Sequence, residues 1–184
     1  MLNMRPDLVA VGSTFTTLAS PVGELLLTSD GAALTGLYPA SHRSLPDTSG
    51  LTRDDALFAG IRDQLNAYFR GKLSEFKVPL KPAGTEFQQL VWKELGRIPC
   101  AATRTYAEVG ARVGKASASR AVGAAVAKNP ILIIIPCHRV MGTSGAPIGY
   151  SGGLKVKQWL FEHEAAMLPV RMPQAERAAS GSSP

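Results

Sequence analysis

Ile131-Leu132-Ile133-Ile134-Ile135-Pro136-Cys137-His138-Arg139-Val140 joins a continuous apolar run to a proline, a cysteine, a histidine and an arginine. Five aliphatic residues, four of them β-branched, predict a short strand buried on both faces. Pro136 cannot extend a ladder, so the chain is expected to leave the strand there. Cys137 then sits just past a rigid core element. His138 and Arg139 follow at once, and both are groups that favour a thiolate, the form of cysteine that attacks electrophiles. Taken by itself, a cysteine after an apolar strand is more often a small buried hydrophobe than a nucleophile.

Working outward, Lys128, Asn129 and Pro130 end a helix that runs back through Ala127 and is capped by Ser117 or Ser119. Before it, Thr105-Tyr106-Ala107-Glu108 has the spacing of a capping box and opens a short helix with Val109 and Val113 inward, which Gly114 breaks. Two short helices around a glycine-containing turn make a helix-turn-helix candidate. The second helix is built from small residues, Ala121 to Ala127, which permit close approach to another backbone or to a nucleic-acid groove. Thr85 is an N-cap for an earlier helix carrying Phe87, Leu90, Val91, Leu95 and Ile98 on one side and ended by Pro99. On the other flank, glycines 142, 145, 149, 152 and 153 mark a turning loop. Leu154 to Met167 reads as the last helix, with Leu154, Trp159, Leu160 and Met167 for packing and Lys155, Lys157 and Glu162 for solvent.

Towards the N-terminus, Thr14–Ala19, Glu24–Leu27 and Ala33–Tyr38 alternate with Pro/Gly and Asp-Gly turn signals and predict an antiparallel meander. Leu57, Phe58, Ile61, Leu65, Tyr68 and Phe69 recur at helical spacing from Asp54 or Asp55 onward, a helix to cover that sheet, and Phe76–Leu80 adds an edge strand. The expected fold class is therefore α+β. A small N-terminal antiparallel sheet with a covering helix precedes a mainly helical part that holds the helix-turn-helix and Cys137. The boundary falls at Lys81-Pro82-Ala83-Gly84, giving a bracing lobe (1–84), a functional lobe (85–172) and a disordered tail (173–184). The first lobe shows no catalytic constellation.

The 184 residues carry 20 Lys+Arg against 14 Asp+Glu, a formal charge of +6, so the protein is drawn to polyanions without being committed to any. Two cysteines, Cys100 and Cys137, argue against a disulfide framework and for a reducing compartment. Three histidines are too few for a Cys/His zinc cluster apart from the Cys137 segment, so no metal and no cofactor is expected. The N-terminus is a poor signal peptide and no apolar run approaches a membrane span, which predicts a soluble, cytoplasmic protein.

With Asn129-Pro130 before it and Gly149-Tyr150-Ser151-Gly152-Gly153 after it, the Ile131–Val140 segment resembles the active-site segment of the O6-alkylguanine-DNA alkyltransferases, or methylated-DNA-protein-cysteine methyltransferases. The likeness is dense from about Thr85 to Met167 and looser back to Thr14. It implies a DNA-repair enzyme that transfers an alkyl group from O6-alkylguanine, with O4-alkylthymine second, irreversibly to Cys137. By that resemblance His138 takes the thiol proton through a water, Glu164 holds the other imidazole nitrogen, Tyr106 protonates the leaving base, and Asn129 ties the active-site segment to the recognition helix. Arg120 fills the gap left by the rotated nucleotide, and Ser119, Ala121 and Gly123 line the same minor-groove face. Val126, Val140, Tyr150 and Ser151 line the base pocket. The implied partner is duplex DNA, met by a monomer, with cooperative loading left open and no membrane. Relatives of a binding-only type lack the cysteine of the Pro-Cys-His-Arg segment, and a thiol hydrolase would turn over repeatedly. Two departures stand out: Cys100-Ala101-Ala102 replaces a Tyr-Gly-Glu-like turn, and Leu132 replaces a proline of some relatives.

Overall fold

The computed structural model describes residues 13–145 and 149–167. Residues 1–12 and the tail expected over 173–184 lie outside the described residues.

The N-terminal meander forms as β1 (Thr14–Leu18), β2 (Leu25–Ser29) and β3 (Leu34–Pro39), antiparallel in sequence order. A two-residue strand that periodicity is too short to reveal, β4 (Thr52–Arg53), runs parallel to β1, giving the order β3-β2-β1-β4. Leu25, Leu27 and Leu37 are buried on the face covered by α1 (Ala59–Phe69), which contributes Ile61, Leu65 and Tyr68. Burying each such leucine is worth about 1.5–3 kcal/mol. The helix starts four residues later than its apolar spacing predicts, and Leu57 is exposed, because Asp54 Oδ1 accepts the Ala56 and Leu57 amides and holds a turn there. Phe76–Leu80 makes only an isolated bridge, Leu80 to Leu34.

In the second half, α2 (Glu86–Leu95) opens on a capping box, Thr85 with Gln88, and packs Val91, Trp92 and Leu95 inward, while Leu90 faces solvent. The helix-turn-helix consists of α3 (Tyr106–Arg112), capped by Thr105 and Glu108, and α4 (Ser119–Ala127). Neither Ser117 nor Ser119 caps α4; its N-cap is Ala118, with no side-chain hydrogen bond. A small parallel ladder, β5 (Arg104–Thr105) with β6 (Val140–Met141), links the start of α3 to the end of the cysteine segment. The last helix, α5 (Leu154–Met167), buries Val156, Lys157, Leu160 and Glu164. Leu154 is exposed and Lys157 is not, the reverse of the sequence assignment.

The run Ile131–Ile135 is not a strand. Ile131 makes a single parallel bridge to Leu37, after which Ile134 N–H donates to Leu132 O, Ile135 N–H to Ile131 O and Cys137 N–H to Ile135 O. Ile133 takes φ +72°, a left-handed conformation costly for a β-branched residue. Burial on all sides is what the aliphatic run supplies, and a coiled segment satisfies it as well as a strand does. The coil lies along the edge of β3, where Leu37 N–H donates to Pro130 O (2.9 Å) and Leu132 N–H to Leu37 O (3.0 Å). One continuous core therefore runs through both halves of the chain.

Candidate active site

Cys137 opens a one-turn 3₁₀ helix (Cys137–Arg139) that Pro136 leads into, and the turn buries all three of its side chains. The Cys137 side chain meets Asn129, whose amide nitrogen donates to Sγ at 3.1 Å and to Ile135 O at 2.8 Å, while its carbonyl accepts from Ile131 N–H at 3.0 Å. The residue just past the C-terminal end of α4 is thus bonded both to the coil and to the Cys137 sulfur. Burial pushes the thiol up to about 11, against the opposing pulls of Asn129 and Lys157. The Tyr150 phenol lies near enough to favour the anion, although it does not reach Sγ with hydrogen-bond geometry. At rest, then, Cys137 is a thiol, and His138 and Arg139 do not make it a thiolate as their order in the sequence predicts.

Arg139 is turned the other way. Its guanidinium clamps Glu164 through Nε to Oε2 (2.9 Å) and Nη2 to Oε1 (2.8 Å), and Nη1 donates to Ile98 O. His138 is fully buried and its Nε2 donates to Glu164 Oε1 at 2.8 Å. Burial pushes Glu164 towards protonation, but the bonds from His138 and Arg139 outweigh it and hold the carboxyl well below the usual carboxylate range. For His138, burial lowers proton affinity by more than Glu164 raises it, so the ring is neutral near pH 7. An ionised carboxylate on Nε2 fixes the tautomer and leaves the Nδ1 lone pair able to accept a proton. That Nδ1 makes no hydrogen bond to any described protein group.

Three further groups were missed by sequence reasoning. Lys157, fully buried, donates from Nζ to Val140 O at 2.6 Å, and burial brings it down to about 8. Tyr68 of α1 donates its hydroxyl to Glu164 Oε1 at 2.9 Å. Ala101, at φ +60°, donates its N–H to Glu164 Oε2 at 3.0 Å, so the Cys100-Ala101-Ala102 turn is left-handed without a glycine. The helical period of α5 was the available signal for Lys157, since positions 157, 160 and 164 share a face.

Residues 14–82 match the family profile described as the 6-O-methylguanine DNA methyltransferase ribonuclease-like domain, and residues 86–166 match the DNA-binding domain of the same family. The chain is 46% identical over 155 residues to the Mycobacterium tuberculosis protein named methylated-DNA–protein-cysteine methyltransferase, covering 84% of this chain and 94% of that one. The chain belongs to the 6-O-methylguanine DNA methyltransferase family. A Methanosarcina mazei methylated-DNA–protein-cysteine methyltransferase is 43% identical, covering 80% of this chain and 94% of its own. The crystal structure of the M. tuberculosis O6-methylguanine methyltransferase superposes with a TM-score of 0.81, covering 86% of this chain and 96% of that one. A structure of the M. tuberculosis protein in complex with DNA gives 0.80, covering 85% and 96%.

Beside the 6-O-methylguanine DNA methyltransferase profile, the remaining expected site residues fall into two groups. In the first, Val126, Val140, Tyr150 and Ser151 are all buried, with Tyr150 near Cys137. The Ser151 hydroxyl donates to Ala127 O, which closes the 150–153 loop onto the end of α4. From the N-terminal half, Ser41 Oγ donates to Gly152 O and Arg43 N–H to Ser151 O. A Cβ at Gly152 would lie 2.9 Å from the Tyr150 ring and 3.1 Å from Leu132, so only glycine fits that close approach. The second group lies on α4: Arg120 and Ala121 are exposed, Ser119 and Gly123 half-buried. Tyr106 connects the two. Its ring passes over Gly123, 3.8 Å from where a Cβ would stand, and its phenol is raised by burial and, once Cys137 ionises, by the sulfur's charge. Among the described residues no helix is long and apolar enough to cross a membrane.

Proposed function

We propose that this chain repairs O6-alkylguanine in duplex DNA, and O4-alkylthymine secondarily, by moving the alkyl group to Cys137 in a single irreversible turnover. The observation that carries the reading is the pair of buried bonds, Asn129 to the Cys137 sulfur and His138 to Glu164, on adjacent residues of one turn in a chain of this family. Sγ attacks the alkyl carbon as the carbon–O6 bond breaks, and that electron pair stays on guanine. The thiol proton goes to His138 Nδ1 through a water, and Tyr106 gives its phenolic proton to the departing base. Exchange with solvent then restores both residues. The thioether product has no leaving group that His138 can activate, so one molecule acts once.

Deep burial of the thiol accords with this order of events. A protonated sulfur at rest is shielded from adventitious oxidants, and proton loss is coupled to bond formation. The base reaches Sγ only if its nucleotide leaves the stack, at a cost of a few kcal/mol, and Arg120 is suited to occupy the gap. Small side chains on α4 suit entry into the narrow minor groove, where long ones collide with the walls. Val126 and Val140 provide apolar walls for the base, with Tyr150 and Ser151 at its edge. Residues 85–172 form the functional lobe and 1–84 brace it. The protein acts as a cytoplasmic monomer.

The test uses an oligonucleotide carrying radiolabelled O6-methylguanine, with mass spectrometry of the intact protein and of its peptides. One equivalent of methyl on Cys137, lost in Cys137→Ala while lesion binding persists, is expected. Lesion binding without any transfer indicates a binding protein, continued product release a hydrolase, and label on Cys100 a different acceptor.

A further inference from the structure

The N-terminal half holds none of the residues that sequence reasoning assigned to chemistry, yet one of its side chains ends on the carboxylate that serves His138. Tyr68, in the last turn of α1, is fully buried, and its hydroxyl donates to Glu164 Oε1 at 2.9 Å. The same oxygen accepts from His138 Nε2 and from Arg139 Nη2, both at 2.8 Å. Tyr68 is fixed at its other end as well. The carbonyl of Tyr68 accepts from His163 Nε2 at 2.8 Å, and the His163 ring meets the Tyr68 ring edge-on at 5.2 Å while stacking on Trp159 at 4.8 Å. Tyr68 therefore grips α5 at two successive residues, 163 and 164, and a phenol so held has one place to point.

We propose that Tyr68 is a positioning residue of the alkyl-transfer site, through which the N-terminal half sets how strong a base His138 is. The inference rests on the proposed role of His138. Its physical content is a competition for one oxygen. Each donor on Oε1 draws charge from it, and a carboxylate that shares charge with Tyr68 holds a protonated imidazole less tightly. Burial keeps the phenol protonated, so it is always a donor. The other charged or titratable groups around the pair are Arg139 and Cys137 on the 3₁₀ turn, Cys100 on the turn after α2, Tyr150 on the following loop and Lys157 on α5. Removing the Tyr68 hydroxyl strengthens the hold of Glu164 on the imidazolium and raises the pH at which His138 gains a proton. Since only neutral His138 takes the thiol proton, the acid limb of the transfer rate follows it upward.

The experiment compares wild type, Tyr68→Phe and full-length chain with 3,5-difluorotyrosine at position 68, whose more acidic phenol is a stronger donor. Two readouts are taken on each: the single-turnover transfer rate to Cys137 against pH, and the His138 ring-nitrogen NMR titration in the DNA-free protein. In Tyr68→Phe both midpoints are expected to rise by about half to one pH unit, a threefold to tenfold lower rate on the acid limb with the plateau little changed. In the fluorinated protein both are expected to fall. Loss of thermal stability with neither midpoint moved would reduce Tyr68 to a packing residue and overturn the inference. Absence of transfer in wild type would overturn the repair reading instead, and the His138 titration would still decide the role of Tyr68.

Discussion

Asn129→Ala removes a side chain that holds both the coil and the Cys137 sulfur. The structure gives the cost in parts. Ile131 N–H and Ile135 O are left in a buried region without the partners they have at 3.0 and 2.8 Å. Each stranded group costs about 1–3 kcal/mol. Against this, the coil is freed to relax Ile133 from φ +72°, which returns about 1–2 kcal/mol. The net loss is about 3 kcal/mol, or a fall in melting temperature of about 6–12 °C for a chain of this size. Sγ also loses the 3.1 Å donor that opposes the effect of burial, so transfer at neutral pH falls at least about tenfold. Asn129→Asp separates the two effects. It keeps the acceptor for Ile131 N–H but turns lone pairs towards Ile135 O and Sγ, and is expected to transfer still more slowly than Asn129→Ala. Differential scanning calorimetry and single-turnover transfer measure both quantities. A change under about 2 °C together with unaltered transfer would refute the assigned role of the Asn129 clip.

Acidification should weaken the fold in two stages. Both His138 and Glu164 have folded-state pKa values below their ordinary ones, so each contributes stability that is complete above its unfolded value and is lost as pH falls. Urea midpoints should therefore fall once below about pH 6.5 and again through the carboxylate range. Glu164→Gln should flatten the lower stage, and an unchanged acid slope would show that the carboxylate is not the linked group. Ala101→Gly should stabilise. Left-handed backbone costs alanine about 1–2 kcal/mol, glycine gives back about 0.5–1 in unfolded-chain freedom, and the net gain of roughly 0.5–1 kcal/mol is read from the same midpoints, a loss counting against strain at that turn.

Local rules with a short reach were readable in advance. Thr85 as an N-cap and Thr105 with Glu108 as a capping box open their helices because such caps need only a few neighbouring residues; the partner of Thr85, Gln88, came from the structure. The meander follows from alternation between turn signals. What failed depended on neighbours distant in sequence. Ile131–Ile135 satisfied every local preference for a strand, but the Asn129 side chain and the β3 edge took its hydrogen bonds. Lys157 looked like a solvent residue because charge usually means exposure, yet the Val140 carbonyl and the thiol lie where its ammonium ends. Tyr68 was read correctly as core, and its hydroxyl was overlooked since its acceptor lies 96 residues away. At the site, His138 with Glu164 and Asn129 with the backbone of the active-site segment are contacts that family resemblance led one to look for, and the Asn129 bond to the sulfur was not among them. The thiol pushed upward by burial, and the guanidinium of Arg139 turned to Glu164 instead, were invisible to the order of residues alone.

The hold of Leu37 on Pro130 and Leu132 has a bearing on solubility. A terminal strand with bare amides and carbonyls is a template on which a second molecule can add its own strand. In this protein the cover over the middle of that strand is the peptide leading to the reactive sulfur. Whatever dislodges that peptide also uncovers a sticky margin of sheet, open to a strand from a second molecule.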